Sequence, residues 1–146
     1  MKVLFVCTGN TCRSPMAEAV FNHIASKEGI DSTAFSRGTN VFFSQPINAK
    51  SVSALKQIGI DYTEHMSCQI TEDDVKNSDL VLTMTASHKM ALKSAFAKYK
   101  DKIYSLNEKA YGKDFDVDDP YGQSSEVYAL TLKSICDAVE KILCIQ

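Results

Sequence analysis

The sequence has no apolar run long enough to cross a membrane or to serve as a signal peptide. The apolar stretch near the N-terminus, Val3 to Val6, is far too short for either purpose. With a net charge of −2, the chain also lacks the basic excess that attracts nucleic acid or an anionic membrane surface. We therefore expect a cytoplasmic protein with no nucleic-acid partner and no membrane partner.

Cysteine spacings typical of a disulfide framework or a zinc site are also missing. The five cysteines are an odd number, and a cytoplasmic chain keeps its thiols reduced. Cys7 and Cys12 have no second Cys or His pair nearby, so we expect no metal site. We also expect no cofactor. The 146 residues contain no linker and no repeat, and 45% of them are hydrophobic. These features predict a single domain over residues 1–146.

Short apolar runs alternate with segments of helical periodicity. The runs predict strands over residues 2–6, 32–36, 79–84 and 102–106. The other segments predict helices over residues 14–29, 48–58, 72–77, 87–99 and 124–143, and an acidic loop over 107–122. The alternation indicates an α/β fold, with a doubly wound four-stranded parallel sheet and helices on both faces. Glu18 is expected in the first turn of the first helix, where a carboxylate suits the helix dipole.

The loop after the first strand carries the chemistry, because ligands of such sheets bind outside the carboxyl ends of the strands. Backbone N–H groups in a loop that opens a helix converge on a phosphate-sized anion. We expect this cradle to consist of Thr8, Gly9, Asn10, Thr11, Cys12 and Arg13. Gly9 and Asn10 tolerate the left-handed backbone that the curl needs, and Arg13 suits two phosphoryl oxygens.

Cys7, at the start of this loop, is the predicted nucleophile. The field of the cradle favours its thiolate, and Ser14 can donate a hydrogen bond to the sulfur. The simpler alternative makes Cys7 a small buried residue at a strand end and Arg13 a surface cation. The strand before the loop and the Ser14-Pro15 helix start after it favour the catalytic interpretation.

The chain resembles the low-molecular-weight protein tyrosine phosphatases over nearly its whole length. The resemblance rests on Cys-x5-Arg-Ser followed by Pro-Met-Ala-Glu, and on three further stretches: Ser36-Arg37-Gly38-Thr39, His65 with Gln69-Ile70-Thr71, and Asp119-Pro120-Tyr121-Gly122. It implies that Asp119 protonates the leaving atom and later takes a proton from the water that hydrolyses a phosphocysteine. Asp118 is a rival, because only the register before Pro120 separates the two carboxylates.

The resemblance also implies roles for residues around the loop. Asn10, Ser36 and His65 match the polar network that holds the loop in shape, although His65 can also be an ordinary buried or surface histidine. Cys12 either forms a protective disulfide with Cys7 under oxidation or only fills space.

The substrate prediction depends on Thr11. The family covers phosphatases of phosphotyrosine and of phosphoarginine in proteins, and the bacterial arginine-specific relatives carry threonine where the tyrosine-specific ones usually carry a larger aliphatic residue. A hydroxyl at the pocket wall can meet a guanidinium or the attacking water, whereas an aliphatic wall suits a phenyl ring. We therefore favour protein phosphoarginine over phosphotyrosine. Tyr121, and Phe42 or Phe43, are expected to wall the pocket mouth or to be packing residues.

Three other functions share parts of this pattern. An arsenate reductase needs a further close cysteine pair, which residues 85–99 lack. A sugar-transport phosphocarrier subunit would not need Arg13 together with Asp119. A non-catalytic phosphoprotein-binding module would keep the cradle and lose the nucleophile or the acid, and both are present. The expected partner is a phosphorylated protein substrate, and we expect the chain to act as a monomer.

Overall fold

The four strands form one parallel sheet. The computed structural model describes residues 1–144 and contains β1 (Lys2–Cys7), β2 (Thr33–Gly38), β3 (Leu80–Thr83) and β4 (Ile103–Ser105). Their order is β2-β1-β3-β4, and each neighbouring pair is parallel. After β1 the chain therefore forms β2 at one edge of β1, and later it forms β3 at the opposite edge of β1. This makes the carboxyl end of β1 the topological switch point, where sheets of this kind bind ligands.

Helices and one 3-10 segment connect the strands. They are α1 (Arg13–Lys27), α2 (Ala49–Gln57), α3 (Glu72–Lys76), α4 (Ala86–Ala95), the 3-10 helix (Ala97–Lys102), α5 (Leu106–Tyr111) and α6 (Ser125–Ile142). The helices α2 to α6 each follow an Asn, Ser or Thr whose side chain accepts a hydrogen bond from a first-turn N–H. Helix α1 follows Cys12, which makes no such bond. Its first N–H groups therefore face the loop without a side-chain cap.

The core lies on both faces of the sheet, because successive side chains of β1 point to opposite sides. Val3 and Phe5 belong to a large cluster that includes residues of α1, α2, α5 and α6. Leu4 and Val6 belong to a smaller cluster with residues of α3 and α4. The predicted α/β fold, a doubly wound four-stranded parallel sheet with helices on both faces, is confirmed. Within residues 1–144, no helix combines the length and the apolar character needed to cross a membrane.

Two predictions of secondary structure were wrong. The helix expected over residues 87–99 ends at Ala95, and a 3-10 helix follows. Residues 107–122 were expected to be a loop, yet Leu106–Tyr111 form α5. Ser105 and Glu108 form a capping box at its start, so a local signal for this helix was present in the sequence. Only residues after Tyr111 form the acidic loop that reaches the site.

Candidate active site

The cradle loop connects β1 to α1 at the switch point of the sheet. Cys7 is the last residue of β1 and is buried, with 3% of its surface exposed. Asn10 has a φ of +56°, so the curl depends on its left-handed backbone. Gly9, the other residue expected to supply this conformation, is not among those with positive φ. The loop then enters α1 at Arg13, which directs the free N–H groups of the helix toward the curl.

A chain of hydrogen bonds ends on the Cys7 sulfur. Asn10 Nδ2 donates to Ser14 Oγ at 2.8 Å, and Ser14 Oγ lies 2.9 Å from Cys7 Sγ. Because Ser14 Oγ accepts from Asn10, its single proton is free to point at the sulfur. The arrangement suits a thiolate at Cys7, since an ionised acceptor strengthens the bond from Ser14.

A second layer of polar groups fixes Asn10 itself. Its amide also donates to Ser36 Oγ at 2.9 Å, its Oδ1 accepts from the Cys68 N–H at 3.0 Å, and its carbonyl oxygen lies 2.8 Å from His65 Nε2. Since a carbonyl only accepts, His65 carries a proton on Nε2. The structure therefore brings Asn10, Ser36 and His65 together beneath the loop.

Glu18 and Tyr62 complete this network, and neither was predicted from the sequence to belong to the site. Ser36 Oγ donates to Glu18 Oε1 at 2.7 Å, and the Tyr62 hydroxyl donates to Glu18 Oε2. Burial and then the Glu18 carboxylate raise the pKa of Tyr62, so its hydroxyl stays protonated as a donor. Glu18 lies beyond the first turn of α1, so the expected interaction with the helix dipole was wrong.

Gly38 lets the end of β2 pass against the cradle. A Cβ placed there would lie 2.7 Å from the Thr8 carbonyl oxygen and 3.0 Å from Asn10 Cβ. The Thr39 N–H donates to the Cys7 carbonyl oxygen at 3.0 Å, and the Asn40 N–H donates to the Thr8 carbonyl oxygen at 3.0 Å. Residues 38–40 thus brace the loop from behind.

Arg13 links the cradle to the acidic loop. Its side chain is buried, and Nη1 donates to the Val117 carbonyl oxygen at 3.0 Å. Nη2 lies 3.7 Å from Asp119 Oδ2. Asp119 Oδ1 accepts from the Tyr121 N–H at 3.1 Å, whereas Asp118 is exposed and does not line the cleft. The structure therefore places Asp119, rather than Asp118, over the cradle.

The base of the acidic loop is fastened by an ion cluster. The buried Lys89 ammonium donates to Asp114 and, at 3.3 Å, to Glu108. Ser105 Oγ donates to Asp114 Oδ1 at 2.6 Å. The Lys89 and Ser105 hydrogen bonds hold the pKa of Asp114 below its usual range, and the Asp114 bond raises the pKa of Lys89. Further along the loop, Asp116 Oδ1 accepts from the Ala86 N–H at 2.8 Å.

These elements enclose a cleft of about 380 Å³ over Cys7. Its floor is the cradle, and its walls include Asp119, Tyr121, Phe42 and Phe43. The two phenylalanines are more than 80% exposed and Tyr121 is 70% exposed, so all three stand at the mouth rather than in the core. Every site residue predicted from the sequence therefore lines this cleft or braces its floor.

Thr11 and Cys12 form the part of the floor nearest α1. Thr11 is half-buried, and in the described part of the chain its hydroxyl has only a weak contact, 3.8 Å from Cys12 Sγ. Cys12 is buried and lies 3.4 Å from the Tyr128 hydroxyl, whose pKa is raised chiefly by burial. Both Cys7 and Cys12 are free thiols here.

Burial also raises the pKa of Cys136 to about 11, which makes that thiol a poor nucleophile.

His88 is the other residue that sequence reasoning missed. It lies in the first turn of α4, just after β3, and its Nε2 is 2.7 Å from Thr8 Oγ1 in the cradle. Because β1 and β3 are adjacent, the residues that follow both strands meet at one edge of the sheet. The meeting of these two strand ends was the signal that could have located His88 from the sequence.

Comparison with known proteins identifies the family. The profile described as low molecular weight phosphotyrosine protein phosphatase matches residues 2–145. The protein-arginine-phosphatase of Bacillus subtilis is 41% identical over 98% of this chain and 92% of its own length.

Two solved structures are also close. A low molecular weight protein tyrosine phosphatase from T. tengcongensis is 42% identical, covering 100% of this chain and 99% of its own, with a TM-score of 0.95. A cysteine-to-serine mutant of the YwlE arginine phosphatase, with a phosphorylated active-site serine, is 38% identical, covering 97% of this chain and 93% of its own, with a TM-score of 0.91.

Proposed function

The chain belongs to the low molecular weight phosphotyrosine protein phosphatase family and is an enzyme, and we propose that it hydrolyses phosphorylated proteins through a phosphocysteine at Cys7. The observation that carries the proposal is the contact of Ser14 Oγ, itself fixed by Asn10, with the Cys7 sulfur at 2.9 Å. This contact supports a thiolate form of Cys7 at the floor of the cleft, because an ionised acceptor strengthens the bond from Ser14. The phosphorylated active-site serine in the YwlE mutant supports a covalent route.

In the first step, the Cys7 thiolate attacks phosphorus and forms the S–P bond while the bond from phosphorus to the leaving atom breaks. The electron pair of that bond goes to the leaving atom, which takes the proton of the Asp119 carboxyl. Backbone N–H groups of the cradle and the Arg13 guanidinium hold the phosphoryl oxygens. Arg13 lies beside Asp119, so both groups serve the same end of the cleft.

In the second step, a water oxygen attacks the phosphocysteine and the S–P bond breaks. The Asp119 carboxylate takes the proton of that water, and the electron pair returns to Cys7 as the thiolate. Ser14 stabilises the returning charge as it did the starting one. Inorganic phosphate then leaves, and water is the one added reactant that the two steps need to balance.

Phosphoarginine is the substrate class we favour. Thr11 lines the cleft with a half-buried hydroxyl that has no strong partner in the described residues, so it can bond to a guanidinium or to the attacking water. The 41% identity to a protein-arginine-phosphatase supports this choice. Phosphotyrosine is the second candidate, because the aromatic mouth at Phe42, Phe43 and Tyr121 can hold a phenyl ring and a tyrosine phosphatase is equally similar.

A non-catalytic phosphoprotein-binding module is a weaker candidate, because the nucleophile and the acid both face the cleft. The cytoplasmic location and the monomeric state remain predictions from the sequence, as do the absence of a metal and the single domain over residues 1–146.

Turnover of matched phosphoarginine and phosphotyrosine peptides, measured side by side, tests the proposal. We expect release of inorganic phosphate from both, with the larger kcat/KM for phosphoarginine, and no turnover by Cys7→Ser. Turnover of phosphotyrosine alone would overturn the substrate class. Hydrolysis of either peptide by Cys7→Ser at the wild-type rate would overturn the mechanism.

A further inference from the structure

The His88 ring is partnered at one nitrogen only. Its Nε2 lies 2.7 Å from Thr8 Oγ1, whereas its Nδ1 is buried and has no hydrogen-bond partner among the described residues. In residues 1–144, Ser51 Oγ is the one other buried side-chain atom in this state. The mechanism derived above gives no role to either ring nitrogen of His88.

The unpartnered nitrogen decides which tautomer the ring adopts. With the proton on Nδ1, a buried N–H would have no acceptor among residues 1–144, an arrangement that native proteins rarely tolerate. With the proton on Nε2, that N–H donates to Thr8 Oγ1 and Nδ1 carries only a lone pair. The Nε2–H tautomer of His88 is therefore favoured, and Thr8 Oγ1 becomes an acceptor.

This choice fixes where the Thr8 hydroxyl proton goes. A hydroxyl has one proton, and a Thr8 oxygen that accepts from His88 directs that proton away from the ring. Thr8 is exposed to the same cleft as Cys7, so the proton is available to an anion bound there. The cradle thereby gains a side-chain donor besides its backbone N–H groups.

We propose that His88 is a positioning residue of the phosphatase: as the neutral Nε2–H tautomer it orients the Thr8 hydroxyl as a donor to the phosphoryl group. The inference rests on the proposed function, because it assumes that the cleft over Cys7 receives a phosphoryl group. His88 itself does not touch the substrate, and its effect passes through Thr8.

The charges around the ring favour the neutral form. Burial, and next the positive charge of Arg13 from α1, lower the pKa of His88 below its usual value, while Asp116 and Asp119 of the acidic loop oppose this shift. A lowered pKa favours the neutral ring at pH 7. Protonation would also put a proton on Nδ1, where the described residues offer no acceptor.

The ¹⁵N chemical shifts of the wild-type ring nitrogens test the tautomer directly and need no variant. We expect His88 to be protonated on Nε2 and bare on Nδ1 at pH 7, and to gain its second proton only below the usual pH range of a histidine. A ring protonated on Nδ1, or one charged at pH 7, would overturn the proposal.

Kinetics of His88→Ala, Thr8→Val and the double variant test the role. Each single change should weaken inhibition by inorganic phosphate and raise KM by about tenfold, the usual effect of one hydrogen bond to a charged group, with less effect on kcat. The double variant should be no worse than either single, because both changes remove the same interaction. Additive losses, or phosphate inhibition unchanged in both singles, would overturn the proposal.

Two further variants separate this role from general damage. His88→Gln keeps an N–H near the Nε2 position and should restore most of the phosphate affinity lost in His88→Ala. His23→Gln makes the same exchange on the exposed face of α1 and should match the wild type. Failure of the proposed function shows differently, as a wild-type protein that hydrolyses no phosphopeptide.

Discussion

Replacing Gly38 by alanine should damage catalysis more than stability. The new Cβ would lie 2.5 Å from Val41 Cγ2, 2.7 Å from the Thr8 carbonyl oxygen and 3.0 Å from Asn10 Cβ. The Val41 side chain can rotate away, but the Thr8 carbonyl belongs to the cradle backbone and can retreat only if the loop moves. The loop must therefore shift toward the cleft, which misplaces the N–H groups that hold the phosphoryl oxygens.

The sizes of both effects follow from general magnitudes for overpacking and for misplaced catalytic groups. Overpacking of this kind costs about 1–3 kcal/mol. With an unfolding entropy of about 2.1 cal/mol/K per residue, 146 residues convert that cost into a fall in Tm of about 3–10 °C. A displacement of the loop by about 1 Å can lower kcat/KM by about 100-fold. Calorimetry and steady-state hydrolysis of p-nitrophenyl phosphate measure the two quantities.

Gly9→Ala is the matched control for stability, because a Cβ there meets nothing closer than Thr11 Oγ1 at 3.9 Å. We expect its Tm to stay near that of the wild type. A Gly38→Ala protein with wild-type Tm and wild-type kcat/KM would refute the argument that β2 braces the cradle through this close approach.

Three further predictions concern the acid, the substrate wall and the ion cluster. Asp119→Ala should lower kcat on a poor leaving group by about 10²–10⁴-fold while Asp118→Ala has a small effect, and equal losses in the two proteins would contradict the assignment. Thr11→Ile should lower phosphoarginine activity by about one to two decades and spare phosphotyrosine activity, so a ratio of the two activities that stays within about threefold would remove Thr11 as the selector. Lys89→Met should lower the free energy of unfolding by about 1–3 kcal/mol at pH 5–9, as followed by urea denaturation. Because the pKa of Asp114 is held below its usual value, this deficit should shrink only as the pH falls far enough to protonate Asp114. A deficit independent of pH would argue against the Lys89–Asp114 ion pair.

The parts of the structure predicted well are those whose signals are local. The apolar run before Cys7 predicts a buried strand, and Ser14-Pro15 predicts a helix start, so the position of the cradle follows from adjacent residues. The order of strands and helices then limits the sheet to parallel topologies. Helix α5 was missed although its capping box at Ser105 is also local, because the four nearby aspartates favoured a loop.

The parts of the site that were missed depend on contacts between distant residues. His88 is 80 positions from Thr8, and Tyr62 is 44 positions from Glu18, so no spacing in the sequence relates them. The need for glycine at position 38 arises from the carbonyl of Thr8, in the cradle loop that follows the neighbouring strand β1. Asp119 was identified by resemblance alone, and only the structure shows that it lies 3.7 Å from Arg13.

Trapping the covalent intermediate tests the central claim most directly. In Asp119→Ala, p-nitrophenyl phosphate still transfers its phosphoryl group, because nitrophenolate leaves without a proton, but hydrolysis of the phosphoenzyme lacks its base. We predict a rapid burst of about one nitrophenolate per enzyme followed by slow turnover, with mass spectrometry of the quenched protein finding the phosphoryl group on Cys7. A phosphoryl group on another residue, or an active protein in which Cys7 is never phosphorylated, would contradict the account.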